Sequence, residues 1–268
     1  IPVGQYLSLD QQAPDQAVAL PRACTYAYLL NLGDKGPKAL KDARLRQALS
    51  HALPRDEVVG RILQGGQKPA RTWTHWAIEG FHPPALPDAG WSEAQHLDRA
   101  RALLAEAGHS PEKPLKLTLT YNSDPVHKQI ASAVQAAYRQ IGIELTLESV
   151  NWKQQADRLQ SGAFDLARYS WCADYDDASS FLDLLGTEGR NFGQYASAEF
   201  DRLLAQARTS DDPGAQYTAA EAILAQDMPL IPVYHYAAPE MIRDDIRGLP
   251  TGNALDIWYG KDLRRGAK

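Results

Sequence analysis

Apolar residues recur along this chain at two periods, and the places where one period gives way to the other mark out most of its elements. Leu115-Lys-Leu-Thr-Leu-Thr-Tyr121 alternates apolar with polar, which predicts a strand with one buried face. Ile143 to Val150 alternates in the same way. Between them Asp124-Pro125 reads as an N-cap followed by proline at the first helical position. Ile130, Val134, Tyr138 and Ile141 then repeat at helical spacing until Gly142 closes the run. Strand, helix, strand at this spacing predicts a parallel, right-handed β-α-β unit.

The same reading extends to most of the chain. Thr25–Asn31 predicts a strand. Asp42–Leu53 predicts a helix, and Pro54 starts a second one that runs through Val58, Val59, Ile62 and Leu63 to Gly65-Gly66. Ser92, with Gln95 three residues later, predicts a capping box on a helix that ends at Gly108. A short helix over Trp152–Leu159 leads into a strand from Phe164 to Trp171. Further helices are expected near 178–185, 198–208 and 212–226. Leu230–Tyr236 predicts a late strand, with Pro232 pointing to an edge or a strand start. Residues 1–22 and the tail from Asp244 carry no strong pattern. Residues 67–91 form a long irregular connection containing Trp73, Trp76, Phe81 and Trp91. The order of elements is mixed α/β, without internal repeats or a low-complexity linker.

Composition narrows the function classes. Over 268 residues the chain is 44% hydrophobic and 23% charged with a net charge of -5, which is ordinary globular composition. Mild acidity without a basic run argues against nucleic acid. No stretch has the length of a membrane helix. Ile1 opens the sequence without a basic-then-apolar leader, as though partway through a larger protein. Two cysteines, Cys24 and Cys172, form no Cys-x-x-Cys. They fit either a disulfide or two buried thiols, and composition leaves both open. The seven histidines make no recognised ligand spacing, and the acids near Asp174 lack an EF-hand's glycine and terminal glutamate, so no metal and no cofactor are expected. A nucleophile elbow and a dinucleotide fingerprint are also missing from the sequence.

The densest candidate chemistry lies in Phe164-Asp-Leu-Ala-Arg-Tyr-Ser-Trp-Cys-Ala-Asp-Tyr-Asp-Asp177. Strand alternation puts Arg168, Ser170 and Cys172 on one face, with Asp174 joining them if the chain stays extended. A guanidinium, an indole (Trp171) and a carboxylate at a strand end suit a small zwitterion: Asp174 takes an ammonium, Arg168 takes a carboxylate, and Trp171 supplies apolar contact. The same spacing also suits a strand-end salt bridge beside a core tryptophan, and spacing alone leaves both readings open.

Several blocks in order carry a resemblance: Cys24-Thr-Tyr-Ala-Tyr, Asp42-Ala-Arg-Leu-Arg-Gln-Ala-Leu49, Arg99-Ala-Arg-Ala-Leu-Leu-Ala-Glu-Ala-Gly108, Tyr121-Asn-Ser-Asp-Pro-Val-His-Lys128, Trp171-Cys-Ala-Asp-Tyr175 and Ile231-Pro-Val-Tyr-His-Tyr236. Together they resemble the periplasmic oligopeptide-binding proteins, the family-5 solute-binding receptors of peptide ABC importers. The resemblance implies an α/β, periplasmic-binding-protein-like (type II) lobe with a mixed sheet flanked by helices. It implies a C-terminal peptide-binding lobe over residues 23–235, with flanks 1–22 and 236–268 belonging to the other lobe. It further implies a non-enzymatic monomer of the Gram-negative periplasm, whose partners are an oligopeptide and a membrane permease. In site terms, Asp174 matches the acid that holds the peptide ammonium, and Arg168 and His127 match cations that meet the peptide carboxylate. Trp171 matches an aromatic beside the ligand, Tyr236 a contact near the hinge, and Cys24 and Cys172 a disulfide.

Overall fold

The alternating segments and the helices between them assemble as predicted into one mixed sheet, in a computed structural model that describes residues 1–110 and 112–266. The strands are β1 (Ala17–Leu30), β2 (Lys68–Pro69), β3 (Leu115–Asn122), β4 (Ile143–Val150), β5 (Leu166–Cys172) and β6 (Leu230–Met241). They lie in the order β2-β6-β1-β5-β3-β4. β3 runs parallel to β4 and β5, whereas β1 is antiparallel to both β5 and β6. A small pair, β7 (Ile246–Arg247) and β8 (Arg264–Arg265), lies in the tail.

The helices are α1 (Tyr6–Gln12), α2 (Ala43–His51), α3 (Arg55–Glu57, continuing as a π-turn through Val58–Leu63), α4 (Glu93–Glu106), α5 (Pro125–Arg139), α6 (Trp152–Ser161), α7 (Ser179–Leu182), α8 (Ala198–Ala207) and α9 (Gly214–Asp227). Local rules explain many of their ends. Ser92 and Gln95 form the expected capping box on α4, and Asn151 with Gln154 forms a second on α6. The Asp124 carboxylate accepts from the Val126 and His127 amides, so the first turn of α5 is fixed in place. Gly142 follows α5 at φ +83°, a left-handed backbone that a β-carbon would strain.

Side chains bury on both faces of the sheet. One face packs Tyr26, Tyr28, Leu117, Leu119, Ile130, Val134 and Tyr138; the other packs Leu29, Trp73, Ala167, Phe181, Phe200 and Leu204. Fully burying one such large apolar side chain contributes about 1.5–3 kcal/mol. The connection over residues 67–91 is pinned to the second layer by Glu221, which accepts from the backbone amides of Trp73 and Thr74, while the Trp73 indole donates to the Phe181 carbonyl at 2.9 Å.

Two sequence expectations are refined. The first strand is longer than Thr25–Asn31, starting at Ala17, because β6 continues to Met241 and supplies a partner for a segment whose own sequence is unremarkable. The pairing of these two strands is interrupted between Pro21 and Thr25. Pro232 is the third residue of β6, near the strand start that was one of the two expected positions, and lies on the second strand from the edge rather than on an edge strand. It is tolerated because β2 covers β6 only at His235 and Tyr234, and the Pro232 carbonyl instead accepts from Arg55 Nε at 3.0 Å.

Candidate functional site

β5 carries the site because its two edges differ. On one side it pairs with β1 along its whole length, from Leu30↔Leu166 to Cys24↔Cys172. On the other, β3 covers only Leu166 and Ala167 before its direction diverges. From Arg168 onward that edge is open. The Ala173 amide donates to the Ala23 carbonyl at 2.8 Å, so alternation aims the backbone groups of Cys172, Ser170 and Arg168 away from β1 and toward the open edge. Of these, the Arg168 carbonyl is taken by the Gln155 side-chain amide at 2.9 Å. Ser170 presents its main-chain donor and acceptor to a groove of about 500 Å³, lined by α6 (Trp152, Gln155) and by Trp171, Arg190 and Phe192, and Cys172 continues the open edge at the strand end.

Register explains which side chains meet there. Cross-strand pairs Tyr28↔Arg168, Tyr26↔Ser170 and Cys24↔Cys172 share a face, as the alternation predicted. The Arg168 guanidinium lies over the Tyr26 ring at 4.9 Å and donates to Tyr236 Oη at 3.3 Å. His127, on the first turn of α5, meets the same Tyr26 ring edge-on at 5.4 Å. Arg168, His127 and Tyr236 thus converge from three separate elements. Trp171 lies on the opposite face, beneath the Arg190 guanidinium at 5.4 Å, and reaches the groove around the strand edge.

Cys24 and Cys172 are disulfide-bonded, with Cα atoms 3.9 Å apart in directly opposed register. Cys172 therefore offers the open strand edge its backbone, not a thiol. After Ala173 the chain turns away, with the Asp174 amide donating to Ser180 Oγ at 2.9 Å. Asp174 does not stay in the extended alternation with Arg168; its carboxylate is exposed beyond the strand end and makes no hydrogen bond or ion pair among the described residues. Its neighbours are committed: Asp176 accepts from the Glu79 amide, and Asp177 accepts from Ser179 and from Tyr217.

His127 differs from the cation implied by the resemblance. Burial first, then the adjacent Arg168, brings its pKa from 6.5 down to about 4, with Asp124 pulling weakly the other way. At neutral pH the ring is neutral in the ligand-free geometry, and an arriving carboxylate would favour its protonation. Several buried polar atoms here have no hydrogen-bond partner among the described residues: Tyr26 Oη, His127 Nδ1, Arg168 Nε and Trp171 Nε1. Such clustering is uncommon in a core, where buried polar groups find partners, and it fits a surface that a polar ligand completes.

Sequence reading missed Tyr26, Gln155 and Arg190. Tyr26 carried a usable signal, since Tyr26 and Tyr28 alternate onto one face of a strand. Gln155 and Arg190 carried none, because their role depends on how α6 and the 190–192 loop flank the open edge.

The buried imidazoles make stability pH-dependent. Burial lowers His75 and His127 to about 4 and depresses His235 strongly, with His75 and Lys68 adding to that last shift. The unfolded chain therefore binds more protons between about pH 6.5 and pH 4, and stability is lost as pH falls through that window. Glu221 opposes this: burial raises it to about 7 from 4.5, so the folded state gains its proton over a similar range. Three groups outweigh one. The melting temperature should drop by about 4 °C or more between about pH 7 and about pH 5. A flat or rising profile in scanning calorimetry would contradict the neutral, buried state of these rings.

Residues 1–193 match the family model "Bacterial extracellular solute-binding proteins, family 5 Middle". The periplasmic murein peptide-binding protein MppA of Escherichia coli K12 is 36% identical over 267 residues, which covers 98% of this chain and 49% of that protein. The periplasmic oligopeptide-binding protein OppA of Salmonella typhimurium LT2 is 34% identical over 268 residues, with the same shares covered. The unliganded open form of MppA superimposes with a TM-score of 0.92 at 34% identity, covering 99% of this chain and 52% of that one. The chain thus spans about half the length of the relatives it matches.

Proposed function

The chain belongs to the family-5 bacterial extracellular solute-binding proteins, and from that premise we propose that it is the peptide-binding lobe of an exported receptor that delivers oligopeptides to an ABC-importer permease. The observation that carries this reading is the open edge of β5. An extended peptide laid along it would take main-chain hydrogen bonds from Ser170 and Cys172, which gives affinity independent of side chains. Asp174, exposed beyond the strand end, would hold the peptide's α-ammonium. Arg168 would meet the α-carboxylate, with His127 charging as the carboxylate arrives. Trp171 would flank a ligand side chain, and Tyr236 would orient Arg168.

A second lobe would close over this groove. The break in β1–β6 pairing at Pro21–Thr25 supports a boundary near residues 22/23 and 235/236, with residues 1–22 and 236–268 serving the other lobe. The receptor would act as a periplasmic monomer by reversible capture, with no bond made or broken and no nucleic-acid partner.

One lobe supplies half of an enclosing surface, so this chain alone should bind a tripeptide more weakly than about 1 μM. Titrating ¹⁵N-labelled chain with Ala-Ala-Ala should shift the amide signals of Ser170, Cys172 and their neighbours. Shifts confined to other surfaces, or none at millimolar peptide, would refute the groove assignment.

A further inference from the structure

Away from the β5 groove, three ligand atoms converge on one point. α2 ends on His51, the 67–91 connection contributes Asp88, and α4 carries His96 on its first turn. His51 Nδ1 lies 2.9 Å from His96 Nδ1, and Asp88 Oδ2 lies 3.7 Å from the former and 3.6 Å from the latter. A zinc-type ion bound at about 2.0–2.1 Å by each atom would set neighbouring tetrahedral ligands about 3.3 Å apart. The three observed separations bracket that edge length.

The ligands are held by separate structural devices. His96 follows the Ser92–Gln95 capping box and is buried, and the His51 ring stacks on Trp91 at 5.7 Å between centroids. Asp88 sits in a turn closed by the Trp91 amide, which donates to its carbonyl at 3.1 Å. His51 and Asp88 border a cavity of about 400 Å³ that shares no lining residue with the β5 groove. The three positions lie far apart in sequence with no ligand-type spacing, which is why sequence analysis expected no metal. We propose that His51 Nδ1, His96 Nδ1 and Asp88 Oδ2 form a binding site for a divalent cation of the zinc type, with its fourth position open to this cavity.

Arg71 opposes the cation and makes the proposal sharply testable. Its guanidinium is 3.1 Å from Asp88 Oδ2 and 2.6 Å from His96 Nε2. A guanidinium only donates, so His96 Nε2 is an acceptor here and the ring proton sits on Nδ1, facing His51. Cation binding needs that proton moved from Nδ1 to Nε2 of the same ring, with no net release, and needs Arg71 withdrawn. The Arg71 side chain is 32% exposed and has solvent to enter. Removing the guanidinium should therefore tighten metal binding, whereas in a purely structural network it would only loosen the cluster.

Calorimetric titration of the chain with zinc chloride, in a non-chelating buffer, should saturate at one equivalent. His51→Ala and His96→Ala should each weaken binding by about 100-fold or more, at or beyond the upper end of what outer-shell losses cost. Arg71→Gln should tighten it by about 10-fold, the factor equivalent to 1.4 kcal/mol. X-ray absorption on the zinc-loaded wild type should find two imidazoles in an all-nitrogen/oxygen shell, a readout that does not depend on any variant folding. Failure to bind zinc, binding indifferent to both alanine variants, an Arg71→Gln protein with no tighter binding, or a shell lacking two imidazoles would each overturn the site. Peptide-induced shifts at the β5 edge stand apart from all of these outcomes.

Discussion

In the full-length receptor proposed above, alanine at position 174 should weaken the binding of peptides with a free amino terminus by about 2–5 kcal/mol, the usual consequence of leaving a desolvated charge without its partner. Asp174 is singled out because the acids around it are occupied. Asp176 holds the Glu79 amide and Asp177 holds Ser179 and Tyr217, whereas the Asp174 carboxylate is exposed and unpaired among the described residues. Asp176→Ala is therefore a matched control that should disturb the local loop without removing the ammonium partner. N-acetylated peptides should bind the unmutated receptor poorly and lose little more on the Asp174 substitution. A folding defect would weaken both ligand types alike. Equal binding of acetylated and free peptides by the unmutated receptor would make Asp174 a structural acid and remove the polarity assignment.

Replacing Cys24 and Cys172 together by serine should destabilise the chain by roughly 2–5 kcal/mol; the chain-entropy model puts a loop of this length near the upper end. The bridge spans 148 positions of sequence. Its place in the sheet gives it a second consequence. Beyond Ala167, β5 has lost β3 and keeps β1 as its strand partner, and the disulfide joins the last paired residues of that ladder. Breaking it should let the groove-forming end of β5 fray before the rest of the sheet unfolds. Urea unfolding of the oxidised, reduced and serine forms measures the first effect. Amide exchange at Ser170 and Cys172, relative to Leu166, measures the second. A loss below about 1 kcal/mol, with exchange unchanged, would reduce the bridge to a bystander.

Much of the secondary structure was legible from local rules. The alternation of Leu115–Tyr121, the Asp124-Pro125 start of α5 and the Ser92–Gln95 box all formed as read, because each depends on residues within a few positions. The resemblance stated from ordered blocks holds at the family level and brought Cys24 and Cys172 together correctly. Weaker segments were illegible for a reason: the first half of β1 is a strand only because β6 is there to pair with it.

Sequence alone therefore determined most of the elements, the face shared by Arg168, Ser170 and Cys172, and the family. Tertiary structure alone decided that β3 parts from β5 after Ala167, and so where the sheet has an open edge. It decided that the chain turns at Asp174, that burial and Arg168 hold His127 neutral, and that His51, Asp88 and His96 meet. The physical reason is common to these cases. Capping and alternation act between neighbours in sequence, whereas strand order, desolvation and the convergence of side chains are set by partners that sequence distance does not reveal.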